Sequence, residues 1–269
     1  MKKIFALILI LALQTVLSVS FIVPVEATTD VSILTHSGYL DSVGYYHVVG
    51  EVQNVGDQTV DFVKITATFY DSGDTVIDTE FTFTTISVLL PGRKSPFDVT
   101  VIDTTQASKV DHYSLSVTFS ATEPIPLGLE ILSNSSYVDG VGYMHVVGEI
   151  KNIESGTATY VKVAATFYDE TGTVVATAFT FSDPSDIEPG QKAPFEIILI
   201  EKSRVTLVDS YSLTAESNQY ALIPEFSPFL VFPLFMLATL LTVILLKGKQ
   251  FRNARKGGLS SSFKTVDNL

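Results

Sequence analysis

The sequence predicts an all-β protein with two tandem β-sandwich domains, and three observations support this fold class. The pattern of residues in Ile33–Leu115 recurs in Ile131–Leu213 at a constant offset of 98 residues, so that Tyr113 matches Tyr211. A fixed period close to the size of a small domain is typical of tandem domains. Apolar and polar side chains alternate within both copies, and turn-forming residues separate the alternating segments.

Residues 1–27 are predicted to be a secretory signal peptide that forms the N-terminal signal helix. Lys2 and Lys3 precede the apolar run Ile4–Leu13, and the stretch ends in Val25-Glu26-Ala27, which resembles a signal-peptidase site. The alternative is an uncleaved N-terminal anchor.

The first repeat covers residues 28–121 and the second covers residues 130–220. In both, one face of a central strand is small or apolar, and we assign this face to the core. Its residues are Val63, Ile65, Ala67 and Phe69 in the first copy and Val161, Val163, Ala165 and Phe167 in the second. No stretch between Thr28 and Tyr220 has a convincing helical period. The strands predicted in the first repeat are Val31–Thr35, Tyr45–Gln53, Val60–Tyr70, Thr75–Thr84, Ser95–Ile102 and Tyr113–Phe119, with equivalents 98 residues later.

Residues 122–129 are predicted to be a stiff linker, because they contain Pro124 and Pro126. This composition favours two separate domains in a row over two domains that share a core. Tyr113 and Tyr211 stand near the start of the last strand of each repeat, where immunoglobulin-like sandwiches have a tyrosine corner. The predicted domains are therefore immunoglobulin-like.

An apolar run of 21 residues, Phe226–Leu246, follows the second repeat. As a helix it is about 31 Å long, which is enough to cross the hydrocarbon core of a bilayer. Basic residues, among them Lys247 and Arg252, follow it directly. The positive-inside rule then places residues 247–269 in the cytoplasm as a basic tail and both repeats outside the cell. The expected location is the cell membrane, with a single pass.

Charge and cysteine content exclude several classes of function. Residues 28–225 hold 27 acidic and 9 basic side chains, an excess of 18 negative charges that repels nucleic acid. The chain has no cysteine. Disulfides, Cys-ligated metals and thiol catalysis are therefore excluded.

Two groups of residues are candidates for chemistry. The acidic hairpin residues Asp71, Asp74, Asp169 and Glu170 could contribute oxygens to calcium, but each site shows only two carboxylates, so turn capping is favoured over metal binding. His47 and Glu51, like their equivalents 98 residues later, share a strand face but lie about 13 Å apart in an extended chain, which favours a packed imidazole over a metal site.

The sequence lacks the common nucleophile, phosphate-binding and metalloprotease motifs. We therefore expect no enzyme activity and no cofactor. Asn134-Ser135-Ser136 is an N-glycosylation sequon, so Asn134 is a candidate glycosylation site.

Three strings that recur in the second copy, with Ile150 there in place of Val52, resemble the FxLYD domain family: Val48-Val49-Gly50-Glu51-Val52-x-Asn54, Thr68-Phe69-Tyr70-Asp71 and Pro91-Gly92-x-Lys94-x-Pro96-Phe97. The central Leu of that family is absent here. The resemblance implies small β-sandwich modules of prokaryotic, often archaeal, surface proteins, with no catalytic residues.

Pro224-Glu225-Phe226, with the apolar run and basic cluster, also resembles archaeal PEF-type sorting segments, which are thought to be cut and transferred to a lipid. The chain continues well past the basic cluster, which favours a retained transmembrane helix.

Together these patterns predict a membrane-anchored surface protein that presents two non-catalytic domains for adhesion, envelope organisation or binding of a cell-envelope protein or glycan. One alternative is an accessory or sensor subunit of a membrane complex. An extracellular hydrolase is a third hypothesis, which would need a titratable cluster that the sequence does not show.

Overall fold

The computed structural model describes residues 31–224. The predicted signal peptide, transmembrane run and basic tail lie outside these residues. Within 31–224 no helix is long and apolar enough to cross a membrane. The predicted all-β class is confirmed, since nearly all regular elements are strands.

The first repeat has two three-stranded sheets that enclose one core. One sheet has the order β1-β2-β5 and the other β4-β3-β6. Phe69 and Phe97, from opposite sheets, are fully buried between them. The strands are β1 (Val31–Leu40), β2 (Tyr46–Asn54), β3 (Val60–Tyr70), β4 (Val76–Phe83), β5 (Lys94–Val101) and β6 (His112–Ala121).

The second repeat has the same layout around a second core, which includes Phe167 and Phe195. Its last strand, β13, pairs with both β12 and β7 and so joins the two sheets into one seven-stranded sheet. The strands are β7 (Leu127–Val138), β8 (Met144–Asn152), β9 (Lys162–Tyr168), β10 (Val174–Phe181), β11 (Lys192–Leu199), β12 (Ser210–Glu216) and β13 (Ala221–Leu222).

The core face predicted for the central strands is confirmed in β3 and β9. All eight predicted residues of that face are buried. The apolar face of a strand is the one that excludes water, so its period of two was sufficient to identify it.

Two single-turn helices interrupt the strands, contrary to the expectation of none. They are α1 (Thr104–Ala107) and α2 (Lys202–Val205), which follow β5 and β11 at equivalent positions. The side chains of Asp103 and Glu201 cap their N-termini. One turn is too short to give a helical period in the sequence.

A buried asparagine explains the invariant end of the first matched string. Asn54 Nδ2 donates to the carbonyl oxygens of Gln58, at 2.7 Å, and Leu89, at 2.8 Å, while its Oδ1 accepts from Gly56 N at 3.0 Å. Asn152 repeats the arrangement in the second copy. This side chain therefore fixes the loop after β2, which is a structural role.

The tyrosine-corner prediction is not matched by the hydrogen bonds. Tyr113 Oη lies 2.8 Å from Nδ1 of His36, and Tyr211 Oη donates to Oδ1 of Asn134 at 2.8 Å. Both partners are side chains of the first strand of the repeat, β1 or β7, whereas a tyrosine corner bonds to nearby backbone.

The expectation of two separate domains in a row is wrong. The second repeat packs its β9–β10 surface against the outer side of β1, β2 and β5, and Ala164 of β9 joins the core of the first repeat. Strand β7 begins at Leu127, inside the predicted linker. Direct packing between the repeats buries surface that proline content alone could not reveal.

Candidate binding surface

Two of the four acidic hairpin residues, Asp71 and Asp169, act as turn caps. Asp71 Oδ1 accepts from the backbone N–H groups of Gly73, at 2.9 Å, and Thr75, at 3.0 Å. The hydrogen bond from Thr75 is the main reason that the pKa of Asp71 lies below its usual value. Asp74 Oδ1 lies 3.4 Å from His112 Nε2. No group of three or more His, Asp or Glu side chains within 31–224 is arranged to hold a metal ion.

The second hairpin uses the same device. Asp169 Oδ1 accepts from Thr171 N at 2.8 Å and Thr173 N at 3.0 Å. The Thr171 hydroxyl also donates to it, and this bond is the main cause of the lowered pKa of Asp169. Glu170 is exposed at the tip. In each hairpin, one of the carboxylate oxygens considered for calcium, Oδ1 of Asp71 or of Asp169, is thus occupied by the turn.

His47 lies in a carboxylate cluster that sequence spacing did not reveal. Its Nδ1 lies 3.0 Å from both carboxylate oxygens of Asp98 on the next strand, and its Nε2 lies 3.4 Å from Oδ2 of Asp41. The ring stacks on Tyr39 with 5.1 Å between centroids. Burial alone would lower the pKa of His47, but Asp98 and Asp41 outweigh it and raise the pKa.

His145 repeats this arrangement in the second repeat. Its Nδ1 lies 2.8 Å from Oε1 of Glu196, its Nε2 lies 3.2 Å from Oδ2 of Asp139, and its ring stacks on Tyr137 at 4.7 Å. The hydrogen bond to Glu196 is the main reason that the pKa of His145 is raised. The paired strand β11, which is distant in sequence, supplies the carboxylate.

These clusters belong to a surface present in both repeats, which we call the histidine face. It is the outer side of β1-β2-β5 in the first repeat and of β7-β8-β11 in the second. The first copy contains Tyr39, His47, Val49, Glu51, Pro96 and Asp98, and the second contains Tyr137, His145, Val147, Glu149, Pro194 and Glu196.

The outer side of β3–β4, or of β9–β10, is a second repeated surface, which we call the aromatic face. In the first repeat Phe81 and Phe83 are exposed, and the ammonium group of Lys64 lies 3.9 Å from the Phe81 ring centroid. Phe62, beside them, is exposed with a positive φ of 47°, and its equivalent Tyr160 has 53°. Such strain in non-glycine residues clusters at functional positions.

Within residues 31–224, the histidine face of the first repeat is covered by the part of the second aromatic face that includes Ala164 and Val174, whereas Phe179 and Phe181 remain 56% and 43% exposed. Glu51, whose side chain is 3% exposed, accepts from Lys94 Nζ at 2.8 Å. It also accepts from the hydroxyls of Tyr168, at 2.8 Å, and Thr166, at 3.3 Å. A carboxylate buried between the repeats is thus fully paired, as burial requires.

Two further charged side chains lock the middle of this junction. Both carboxylate oxygens of Glu216 accept from Ser87 N at 2.9 Å. Arg93 donates to the carbonyl oxygens of Val88 and Ala215. Burial lowers the pKa of Arg93 to about 10, and the nearby charge of Glu216 acts in the opposite direction.

Arg204 anchors the end of the junction near α2. Its Nε donates to the Val175 carbonyl at 2.7 Å, one of its terminal nitrogens donates to Ser37 Oγ at 3.1 Å, and its guanidinium lies 4.5 Å from the Tyr39 ring centroid. Ser37 Oγ in turn donates to the Val174 carbonyl at 2.7 Å. The junction is therefore polar as well as apolar along its length.

The same two faces are open at the opposite ends of the pair. Glu149, equivalent to Glu51, is 40% exposed and pairs only with Lys192 in its own repeat, at 2.7 Å. Val174 of the second aromatic face is fully buried, whereas its equivalent Val76 is 55% exposed. In the part of the chain that the structure describes, the histidine face and this part of the aromatic face are thus each covered in one repeat and uncovered in the other.

Comparison with known proteins adds no family. No protein-family model matches the chain, and no curated protein matches it. Among solved structures, it is similar to the exo-chitosanase CsxA of Amycolatopsis orientalis (12% identity, TM-score 0.26, 70% of this chain and 26% of that chain). It is also similar to a red sea bream transglutaminase (6%, 0.23, 72% and 30%) and a glycoside hydrolase family 2 β-glucuronidase (14%, 0.27, 66% and 23%). The chain covers less than a third of each, and TM-scores this low carry no argument about fold or function.

Proposed function

We propose that this protein is a single-pass surface protein whose two immunoglobulin-like repeats, of the FxLYD type, bind other proteins of the cell envelope without catalysis. The apolar run Phe226–Leu246 is its membrane anchor in this proposal. The basic residues after it, which include Lys247 and Arg252, keep the tail in the cytoplasm.

One observation supports the proposal. The histidine face is covered in the first repeat, and the equivalent face of the second repeat is exposed. The first copy is covered by strands of another domain, so its chemistry suits a protein surface. The open copy keeps Tyr137, the paired His145 and Glu149. Tyrosine is one of the residues that are enriched at protein contacts. Protein binding is therefore favoured over glycan binding.

The test is affinity capture with the tagged full-length protein from solubilised membranes, comparing the wild type with the double variant Tyr137→Ala, Glu149→Ala. Glu123→Ala is the control, since Glu123 is exposed in the segment between the repeats. We expect a reproducible protein in the wild-type and control captures that the double variant loses. The same proteins in all three captures would contradict the proposal. One stoichiometric partner would favour an accessory subunit.

The proposed topology has its own test, because the chain has no cysteine. Glu170→Cys, at the tip of an exposed hairpin, should react with a membrane-impermeant maleimide on intact cells. Ser260→Cys, in the proposed cytoplasmic tail, should react only after the cells are opened. Labelling of Ser260→Cys on intact cells would contradict the orientation.

A further inference from the structure

The internal junction between the repeats indicates which surface binds the open histidine face. Within residues 31–224 the repeats form one junction, between the histidine face of the first repeat and part of the aromatic face of the second. The described residues leave the other copy of each of these surfaces uncovered, on different repeats. We propose that the free aromatic face of one copy of this protein docks on the free histidine face of another, which reproduces the internal junction between copies. This inference rests on the proposed function in that the open face is taken to bind protein.

The buried carboxylate contact is preserved in the equivalent residues. Inside the chain, Glu51 accepts from the hydroxyl of Tyr168 at 2.8 Å. The equivalents, 98 residues apart in each case, are Glu149 and Tyr70, and neither is buried within its own repeat. Thr68 stands where Thr166 supplies the second hydroxyl. A second copy can therefore give Glu149 the partners that Glu51 already has.

The contacts at the end of the junction are also preserved. Ser37 Oγ donates to the Val174 carbonyl at 2.7 Å, and the equivalent residues Ser135 and Val76 are both exposed. Docking would cover the Val76 side chain as Val174 is covered now, and burial of an exposed valine is favourable.

Charged side chains distinguish the two junctions. Three charged side chains that stabilise the internal junction have uncharged equivalents on the open faces. A junction between copies thus keeps the contacts of the Glu149 carboxylate and the hydroxyl groups but loses those of these three charged side chains. We expect it to be weaker than the internal junction and to need a high local concentration. The changes are Arg93 to Gln191, Arg204 to Gln106 and Glu216 to Thr118.

The two free faces are different surfaces, so the contact is heterologous. A contact of this kind leaves one free face of each type at the ends of any dimer. Assembly therefore continues to longer chains of molecules unless the rotation between copies closes a ring.

The absence of native cysteine allows a direct test with a short bis-maleimide cross-linker on the full-length protein. The double variant Val76→Cys, Ser135→Cys carries one thiol on each free face. The control is Ser42→Cys, Ser203→Cys, because both serines are exposed, lie in different repeats and contact the same carboxylate, that of Glu201. We expect a ladder of covalent oligomers from the first variant and an internally cross-linked monomer from the control.

A mixture of the two single variants, Val76→Cys and Ser135→Cys, should give dimers and nothing larger. If the double variant gives only monomer while the control becomes cross-linked, the inference is wrong. If capture of a different protein still depended on Glu149, the proposed function would survive that result. If no protein were captured in a way that depends on Glu149 either, the inference and the proposed function would both be wrong.

The strength of association gives a second test, by sedimentation of the full-length protein in mild detergent. Glu149→Ala should weaken self-association at least about tenfold, since it removes a hydrogen-bonded charge from the contact. Gln191→Arg should strengthen it, because it restores the donor that Arg93 supplies inside the chain. An unchanged association constant in both variants would contradict the inference.

Discussion

Replacing Glu51 by alanine should destabilise the protein by about 3 kcal/mol. Glu51 accepts hydrogen bonds from Lys94, Tyr168 and Thr166, and its side chain is 3% exposed. A hydrogen bond to a charged group contributes about 1.5 to 3 kcal/mol, and a buried partner left unpaired adds to the cost. The Lys94 side chain is 45% exposed, so water replaces its lost partner and its share is discounted. The two hydroxyl contacts carry most of the loss.

Glu149→Ala is the matched control for this prediction. It removes the same residue from the equivalent strand position, but Glu149 is 40% exposed and pairs only with Lys192. An exposed pair contributes under about 1 kcal/mol. Thermal unfolding of the dilute full-length protein should show a Tm lower by about 6 to 12 °C for Glu51→Ala and nearly unchanged for Glu149→Ala. Equal shifts would refute the claim that Glu51 is the interface residue.

Three other perturbations test separate parts of the structure. Arg93→Ala should lower the free energy of unfolding by about 2 kcal/mol, because two partly buried carbonyl oxygens lose a charged donor. Gly148→Ala should cost about 2 kcal/mol, since the new Cβ would lie 2.4 Å from the Ser133 carbonyl oxygen. The pKa of His145 is raised by Glu196, so its stabilising contribution is complete below the unfolded pKa of about 6.5 and is lost as the pH rises through the folded pKa. The Tm should therefore fall from pH 6 to pH 8, and fall less in His145→Gln.

Local patterns were sufficient for the strands and the core. Strand β3 has the predicted bounds, Val60–Tyr70, because alternation and flanking turns both mark them. Strand β1 continues to Leu40, five residues past its predicted end at Thr35. Its second half carries His36, Ser37 and Gly38, which lack an apolar pattern, and pairing with β2 holds it extended. Tertiary contacts here override local propensity.

The junction could not be predicted from local patterns, because its two sides are 77 or more residues apart in the hydrogen bonds that cross it. One signal was present. The face of β9 opposite the core carries Ala164 where β3 carries Thr66, and Ala164 is fully buried. A small apolar residue that replaces a polar one on a supposedly exposed face indicates a covered surface. Alternation alone assigned that face to solvent.

The divergence between the repeats explains how one chemical junction can serve two purposes. Inside the chain the two faces are tethered by a short segment, so their effective concentration is high without any charged contact. Arg93, Arg204 and Glu216 strengthen a contact that the tether already favours, and they also add specificity, because a buried charge tolerates only the register that pairs it. In any other register, Arg93 would lose its hydrogen bond to the Ala215 carbonyl. The free faces carry Gln191, Gln106 and Thr118 at these positions, so a junction between copies can form and dissociate more easily. Tethering and buried charge make the first junction permanent, and their loss makes the second one reversible.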